Sequence, residues 1–392
     1  MRPPRRRSGR QSELMKIYLA AGEESGDLHG AHLARALRRV APNVELAGMA
    51  GAGMREAGVE ALVRAEDHGI VGFVEVFGRL RQLRRDLETL AAAMAKDGDA
   101  LVAIDYGGFN ARLVARAKRA GLKTFYYIPP KLWAWGRHRG KSLARDLELV
   151  LAVFPFEVEY WRTIGANVVF VGHPLLDITR PSGRDVRAAL GLAAGERLLL
   201  VLPGSRRQEI AALWPPIAEA LPAIMRKVPG ARVFVAPGRS LGAGIIEEYA
   251  PLPPGVRTTA EPVVDLMAAA DAAVVASGTA SLELAILGTP AVILYKVNTL
   301  TWELGRRLVY VTHLGLPNII AGRPVVPELL QGDVRPELIT SETVDVMDDA
   351  VLRERIARDY GAIRESLRPP ALAGGDGGAP DCAARLILEG TA

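Results

Sequence analysis

Nine short apolar runs, rich in β-branched and aromatic residues, recur along the chain with helical patterns between them. They are KIYLAA (16–21), ALVAID (100–105), KTFYYI (123–128), LELVLAVF (147–154) and VVFV (168–171), then RLLLVLP (197–203), RVFVAP (232–237), AAVVAS (272–277) and AVILYK (291–296). Strands that are apolar throughout and separated by helices pair in parallel and are covered on both faces. A chain of 392 residues exceeds one ordinary core at ~150 residues per domain, so the expected fold is α/β with two doubly wound domains.

The weakest stretch for packing is GHPLLDITRPSGRDVRAAL (172–190), where His-Pro, Arg-Pro and Ser-Gly break any period. A domain over 15–178 and a second over 179–368 follow. Residues 369–392 then form a Gly/Pro link and a terminal helix expected to pack back on the first domain.

The net charge of +5 suggests a nucleic-acid partner until it is located. Residues 1–14, MRPPRRRSGRQSEL, hold five Arg and one Glu, hence +4 of the +5. The body is near neutral, which argues against nucleic acid, since that partner needs a basic face on a folded domain. The tail lacks the apolar core of a secretory signal and is expected to be a disordered extension, or sequence upstream of a start at Met15. No run of about 18 apolar residues is present, so any membrane role is peripheral. A single cysteine, Cys382, allows no internal disulfide and fits a reducing compartment.

In open parallel sheets ligands bind beyond the carboxyl ends of the strands, so the residues just after each run carry the function. LPGSRRQEI (202–210) and ASGTASLELAILGTP (276–290) each join a buried strand to a helix through small residues. The free N–H groups of such helix starts favour phosphate, at Gly204 and Ser205 in one loop and Ser277, Gly278 and Thr279 in the other. Arg206 can fork onto the same oxygens, and Glu283, one turn into the second helix, can accept from a ribose diol. Against this stands the plainer reading that Ser205 and Thr279 merely cap their helices. Neither loop is a dinucleotide or Walker fingerprint.

AGEESGD (21–27) has a different character: glycines for close approach, with Glu23, Ser25 and Asp27 as acceptors or caps, suiting a sugar better than a phosphate. Asp105, ending ALVAID, points into the same crevice; it is either a general base or a cap for the next element. Asp97-Gly98-Asp99 precedes its strand and reads as a turn. His29 and His32 lie one turn apart without an evident third ligand, so no metal is expected. In GIVGFVEVFGRLRQLRRDLETL (69–90), apolar positions at helical spacing alternate with Arg79, Arg81, Arg84 and Arg85. That stretch is either a helix packed on the sheet or an amphipathic contact with an anionic membrane surface.

Together AGEESGD, GIVGFVEV (69–76), the WAW of 133–135, FPFE (154–157), VGHPLLD (171–177), LPGSRRQEI, ASGTASLELAILGTP and LPNIIAGRPVVPELLQ (316–331) resemble the lipid-A-disaccharide synthase family. These are inverting glycosyltransferases of the GT-B fold, two Rossmann-like domains facing across a cleft. The resemblance implies transfer of 2,3-diacylglucosamine from UDP-2,3-diacylglucosamine to the 6-hydroxyl of 2,3-diacylglucosamine 1-phosphate, forming a β-1,6 disaccharide and UDP. It implies no cofactor and no metal, a site at the cytoplasmic face of the bacterial inner membrane, and it admits a homodimer.

By matching positions, Gly204, Ser205, Arg206, Ser277, Gly278, Thr279 and Glu283 would hold the UDP-sugar, with Asn318 near the cleft. Glu23, Ser25, Asp27 and Asn110 would lie on the acceptor side, and Asp105 would be the base. The chain departs from the family where many members read D-x-P-D-F-N and it has Asp105-Tyr106-Gly107-Gly108-Phe109-Asn110, which leaves Asp105 as the better base candidate. It departs again before WAW, where the usual Ser-Pro has become Pro129-Pro130-Lys131-Leu132. The rival readings are another GT-B enzyme, such as a UDP-N-acetylglucosamine 2-epimerase, and a non-catalytic nucleotide-sugar or lipid-binding protein.

Overall fold

The structure is a computed structural model describing residues 14–68, 76–134, 140–238, 241–298, 302–303, 312–370 and 377–392, with the backbone alone for 67–68, 76–80 and 243. By its internal contacts the chain forms two compact units, one through Pro174 together with Arg368–Ala392, the other Leu175–Leu367.

The first unit is a seven-stranded parallel sheet of β1 (Lys16–Ala21), β2 (Glu45–Ala50), β3 (Glu60–Arg64), β4 (Ala100–Ile104), β5 (Lys123–Tyr127), β6 (Leu149–Ala152) and β7 (Val168–Phe170), in the order β3-β2-β1-β4-β5-β6-β7. Between them run α1 (Glu24–Val40), α2 (Ala52–Glu56), α3 (Val76–Asp97), α4 (Gly107–Ala120), α5 (Gly140–Asp146) and α6 (Pro155–Thr163). The closing helix Ala379–Thr391 belongs to this unit and lies along α1, where Arg39 meets Asp381 at 2.5 Å. The strands are buried on both faces because helices cover both, as their unbroken apolar runs require.

The second unit carries β8 (Arg197–Leu202), β9 (Ala231–Val235), β10 (Val256–Thr258), β11 (Ala272–Ala276), β12 (Ala291–Tyr295) and β13 (Glu328–Leu330), ordered β10-β9-β8-β11-β12-β13. Its helices include α7 (Leu175–Ile178), α8 (Val186–Ala189), α9 (Arg207–Lys227), α10 (Val263–Ala269), α11 (Thr279–Leu287) and, later, Leu316–Ala321, Pro336–Asp348 and Ala350–Ser366.

All nine runs read from the sequence are strands. Four more were not read. β3, β10 and β13 are short edges, and β2 (ELAGMA) is low in β-branched residues. Gly48 in β2 has φ 143°, and a Cβ there would sit 2.0 Å from the Leu19 carbonyl oxygen, so only glycine lets β2 approach β1.

Asp97–Asp99 sits at the amino end of the sheet as a turn, with Tyr18 Oη and Lys16 Nζ donating to Asp97 and the Lys16 amide donating to Asp99. In α3, Leu87, Leu90 and Met94 join the first core while Arg81, Arg84 and Arg85 stay exposed. The opening 69–75, which carries much of the membrane reading, and the basic tail through residue 13 lie outside the described residues. Among the described residues no helix is long and apolar enough to cross a membrane.

Candidate functional site

Both sheets reverse their strand order once, and a crevice opens beyond the strand ends at such a reversal. In the first unit the reversal falls between β1 and β4, so residues 22–27 and 105–110 are neighbours. In the second it falls between β8 and β11, which puts 203–206 beside 277–279. The sequence loops with the most polar and small residues therefore occupy the two strand-order reversals, the positions at which open parallel sheets take ligands.

At the first crevice the chain leaves β4 through Asp105 and Tyr106, both left-handed at φ 47°. Such a conformation costs a non-glycine residue ~1–3 kcal/mol and persists only when its surroundings hold it. Here the Asp105 carbonyl accepts from Tyr126 Oη at 2.7 Å and from Asn110 Nδ2 at 2.9 Å. The Tyr106 ring covers Gly22 so closely that a Cβ at Gly22 would meet it at 2.2 Å. These contacts fix the backbone of the turn that carries the half-buried Asp105 carboxyl. Burial pushes its pKa up, while the Lys131 ammonium and the Tyr106 amide pull it back. A raised proton affinity makes a carboxylate a stronger base.

Glu23 and Ser25 are exposed at the start of α1, beside this turn. Asp27 and Asn110 are not on the surface of the crevice. The Asp27 carboxylate takes the amides of Gly51, Gly53 and Met54 at 2.8–3.1 Å and so closes the start of α2. Fully buried Asn110 donates to the carbonyls of Ala20, Ile104 and Asp105, lacing the ends of β1 and β4 together. Both brace the backbone around the crevice: Asp27 as a cap, one of the two roles its residue type allows, and Asn110 in a way nothing local marks. Gly107 and Gly108, where the chain departs from the family pattern, differ sharply. A Cβ at Gly107 would approach Pro130 to 2.9 Å, whereas Gly108 is exposed with nothing within 4 Å.

The loops after β5, β6 and β7 add a buried polar group at the same edge. Trp133 Nε1 donates to Glu157 Oε1 at 2.8 Å, and Glu157 Oε2 takes the Phe154 amide at 3.3 Å. Glu157 is 1% exposed, and burial pushes its pKa up to about 7 against the pull of Trp133, the Phe154 amide and Lys131. His173 packs on Phe154 at 4.7 Å, and burial, His29 and Lys131 lower its pKa to about 3. His29 is lowered to about 4 by burial and by His32. Its Nδ1 is buried without a hydrogen-bond partner among the described residues.

The second crevice is made of backbone. Gly204, at φ 133°, approaches Glu209 so closely that a Cβ would meet the Glu209 Cβ at 2.6 Å. Ser205 and Thr279 do not act as side-chain caps: Arg206 and Gly278 hold the cap positions of α9 and α11. The expectation that both helix starts are open holds for one only. At α9 the Ser205 and Arg206 amides donate to Glu209 Oε2 at 2.9 and 3.3 Å, and the Arg206 guanidinium pairs with Glu209 Oε1 at 3.1 Å. At α11 the first turn has no side-chain cap, and Gly278 and Thr279 are exposed. Ser277 Oγ instead ties the loop to the Leu314 carbonyl at 2.8 Å. Glu283 follows one turn into α11, half-buried.

Asn318, read as a ligand contact, is buried with every polar atom engaged. It donates to the Val326 carbonyl and to Glu328, and accepts the Val325 and Val326 amides. Glu328 in turn takes the Leu314 and Gly315 amides, fixing the start of the helix Leu316–Ala321. This network borders a cavity of about 440 Å³ lined also by Val325, Leu329, Leu352 and Arg355. Glu157, Glu209 and Glu328 were missed as partners. Glu157 and Glu209 each left a local signal, three residues after the cap residues Phe154 and Arg206 at a helix start, where a carboxylate reaches back to the cap amide.

The model of a family described as lipid-A-disaccharide synthetase matches residues 17–367. The lipid-A-disaccharide synthase of Geobacter sulfurreducens is 40% identical over 381 residues, covering 95% of this chain and 97% of the relative. That of Coxiella burnetii is 36% identical over 354 residues, covering 90% and 94%. Among solved structures, a UDP-GlcNAc 2-epimerase from Neisseria meningitidis bound to UDP-GlcNAc aligns with TM-score 0.64 at 12% identity over 96% of this chain and 99% of the other. MurG of Acinetobacter baumannii aligns with TM-score 0.58 at 14% identity over 96% and 100%. At such identities these likenesses speak for the fold alone, and with the two parallel sheets they show the two-domain α/β GT-B architecture.

Proposed function

The chain belongs to the lipid-A-disaccharide synthase family of glycosyltransferase enzymes, and from that premise we propose the particular reaction and the part each crevice takes in it. The donor is UDP-2,3-diacylglucosamine and the acceptor is 2,3-diacylglucosamine 1-phosphate. The acceptor 6-oxygen attacks the donor C1 as its proton passes to the Asp105 carboxylate. The new C1–O bond forms on the face opposite the departing diphosphate, the anomeric configuration inverts, and UDP leaves with the bonding pair.

The placement of Asp105, held left-handed at the strand-order reversal of the first sheet beside the start of α1, is the observation that carries this reading, and burial raises its proton affinity. Glu23 and Ser25 lie beside it on the acceptor side, while Asp27 and Asn110 hold the turn in shape. In the second unit the uncapped first turn of α11, with Ser277, Gly278 and Thr279, offers N–H groups to the diphosphate as charge develops on it. Gly204 lets the neighbouring loop approach, and Ser205 and Arg206 add donors once the diphosphate displaces the Glu209 carboxylate. Glu283 takes the ribose, and Asn318 acts through the loop it braces. Both substrates carry acyl chains, and the exposed Arg81, Arg84 and Arg85 suit an anionic bilayer face, so the stretch 69–90 attaches the enzyme peripherally to the inner leaflet.

The test is product mass and UDP release from the pure protein given both acylated substrates with a chelator present. A tetraacyl disaccharide phosphate with one UDP released per product establishes the reaction. Turnover of unacylated UDP-N-acetylglucosamine alone, with none of the acylated donor, overturns it.

A further inference from the structure

Glu157 has no part in the steps above, yet its burial demands a reason. Taking a carboxyl group out of water is unfavourable unless both oxygens are engaged, and an apolar residue would fill the same space without that cost. One of its bonds is ordinary: at the third position of α6 it takes the Phe154 cap amide at 3.3 Å, which steadies the helix start. The other bond is not explained by α6. It reaches Trp133, in the loop after the neighbouring strand β5, at 2.8 Å. The Trp133 ring is also held edge-on by Phe156, with centroids 4.8 Å apart.

The loop so clamped leaves β5 through Ile128 at φ 56°, an outlying conformation for a β-branched residue. Further along, Pro130 presses on Gly107, so that a Cβ there would stand 2.9 Å away. Both departures from the family pattern, Gly107 and the segment 129–132, therefore meet at one contact. Between Pro130 and Trp133 the loop carries Lys131, an exposed cation whose field reaches Asp105, Glu157 and His173.

We propose that Glu157 is a positioning residue: by accepting the Trp133 indole N–H and the Phe154 amide together, it pins the loop 129–134 against the Asp105 turn and keeps Lys131 beside it. The proposal rests on Asp105 being the base. The groups facing that base are Lys131 on the loop and Tyr126 on β5, with Glu157 on α6 and His173 after β7 facing Lys131, and His29 on α1 facing His173. Below its pKa of about 7 Glu157 is protonated, so if it merely neighboured the turn its removal would leave the acid limb of the rate in place. If it acts by holding Lys131, removal raises the Asp105 pKa, so only the positioning role moves the limb to higher pH.

The test measures kcat and acceptor KM against pH, and UDP affinity, for the full chain and for Glu157→Met, Glu157→Gln, Trp133→Phe, Glu157→Met with Trp133→Phe, and Lys131→Gln. We expect Glu157→Met and Trp133→Phe each to lower kcat roughly tenfold, with UDP affinity unchanged and the acid limb displaced to higher pH, as in Lys131→Gln. The double variant should be no worse than the poorer single, and Glu157→Gln, which keeps an acceptor for the indole, should recover much of the loss. An acid limb that stays or moves to lower pH in Glu157→Met, or single effects that multiply in the double variant, overturns the proposal. Should Glu157→Met not fold, Trp133→Phe and Glu157→Gln are judged by the same limb. Asp105→Asn is assayed alongside: if it keeps turnover, the base assignment falls, whereas if it is inactive and the limb criteria fail, only the role of Glu157 falls.

Discussion

The two crevices occupy equivalent places, each at the single reversal of strand order in a parallel sheet, yet they are built from different material. The first is built around side chains whose proton affinities burial has displaced: Asp105 and Glu157 upward, His29 and His173 downward. It holds three left-handed non-glycine residues, Asp105, Tyr106 and Ile128. The second is lined by glycine, serine and backbone amides, with an exposed arginine already paired to a carboxylate. On the proposed reaction, one topology serves two chemistries. Handling a proton needs a dry, strained, side-chain edge, whereas holding a diphosphate needs open N–H groups, which any helix start supplies.

The sharpest way to break this contrast is Asp105→Asn, expected to cost roughly 10²–10⁴-fold in kcat with UDP affinity unchanged, read by product formation and by calorimetric UDP titration. Retained turnover would mean that the first edge does not handle the proton.

A second approach uses pH. Folded-state pKa values near 4 for His29 and 3 for His173, below the ordinary 6.5, give stability that is present above pH 6.5 and lost as pH falls through those folded values. Glu157, raised from 4.5 to about 7, works the other way: its contribution is full below pH 4.5 and lost as pH rises through about 7. Between pH 6.5 and 4.5 two histidine protons oppose one glutamate proton, so stability should fall by about 3 kcal/mol at ~1.4 kcal/mol per unit per proton. Glu157→Gln removes the offset and should roughly double that slope in urea unfolding followed by circular dichroism. An unchanged slope would remove Glu157 from the titrating set.

The second edge is probed by Arg206→Ala, for which UDP should bind about tenfold more weakly, ~1.4 kcal/mol, with the acid limb of the rate unmoved. A displaced limb would erase the division of labour. Glu209→Gln should strengthen UDP binding by roughly two- to fivefold, since the carboxylate competes for the Ser205 and Arg206 amides. Weaker binding would instead make Glu209 a support of the bound state. The smallest effects separate the adjacent glycines. Gly107→Ala should cost about 1–2 kcal/mol in thermal unfolding through its contact with Pro130, whereas Gly108→Asp, in open space at a helix start, should stay within ~0.5 kcal/mol.

Strand runs and strand-end loops were legible because their signals are local. ALVAID and RLLLVLP could be buried only as parallel strands, and the glycines of AGEESGD and LPGSRR mark where the backbone turns. Asp105 was legible as a candidate base for the same reason: it ends a strand. The capping role of Glu209 was present in its spacing from Arg206 and was passed over. Asp27 reads in sequence as an acceptor or a cap, and the resemblance alone places Asn110 and Asn318 at the site, because a buried polar residue and a ligand-binding one look alike in sequence. Which of the two it is depends on what backbone arrives beside it.

The order of residues by itself determined two parallel sheets, their approximate limits and the loops at their carboxyl ends, because burying an unbroken apolar run leaves few alternatives. Only the tertiary structure decided that Glu157 meets Trp133 and that Asp27 closes α2. It alone also showed that Pro130 needs a glycine at 107 and that Glu209 already fills one of two similar helix starts. Those pairings join segments that share no periodicity, and each partner's preference is satisfied equally well by water until folding brings the other within hydrogen-bond reach.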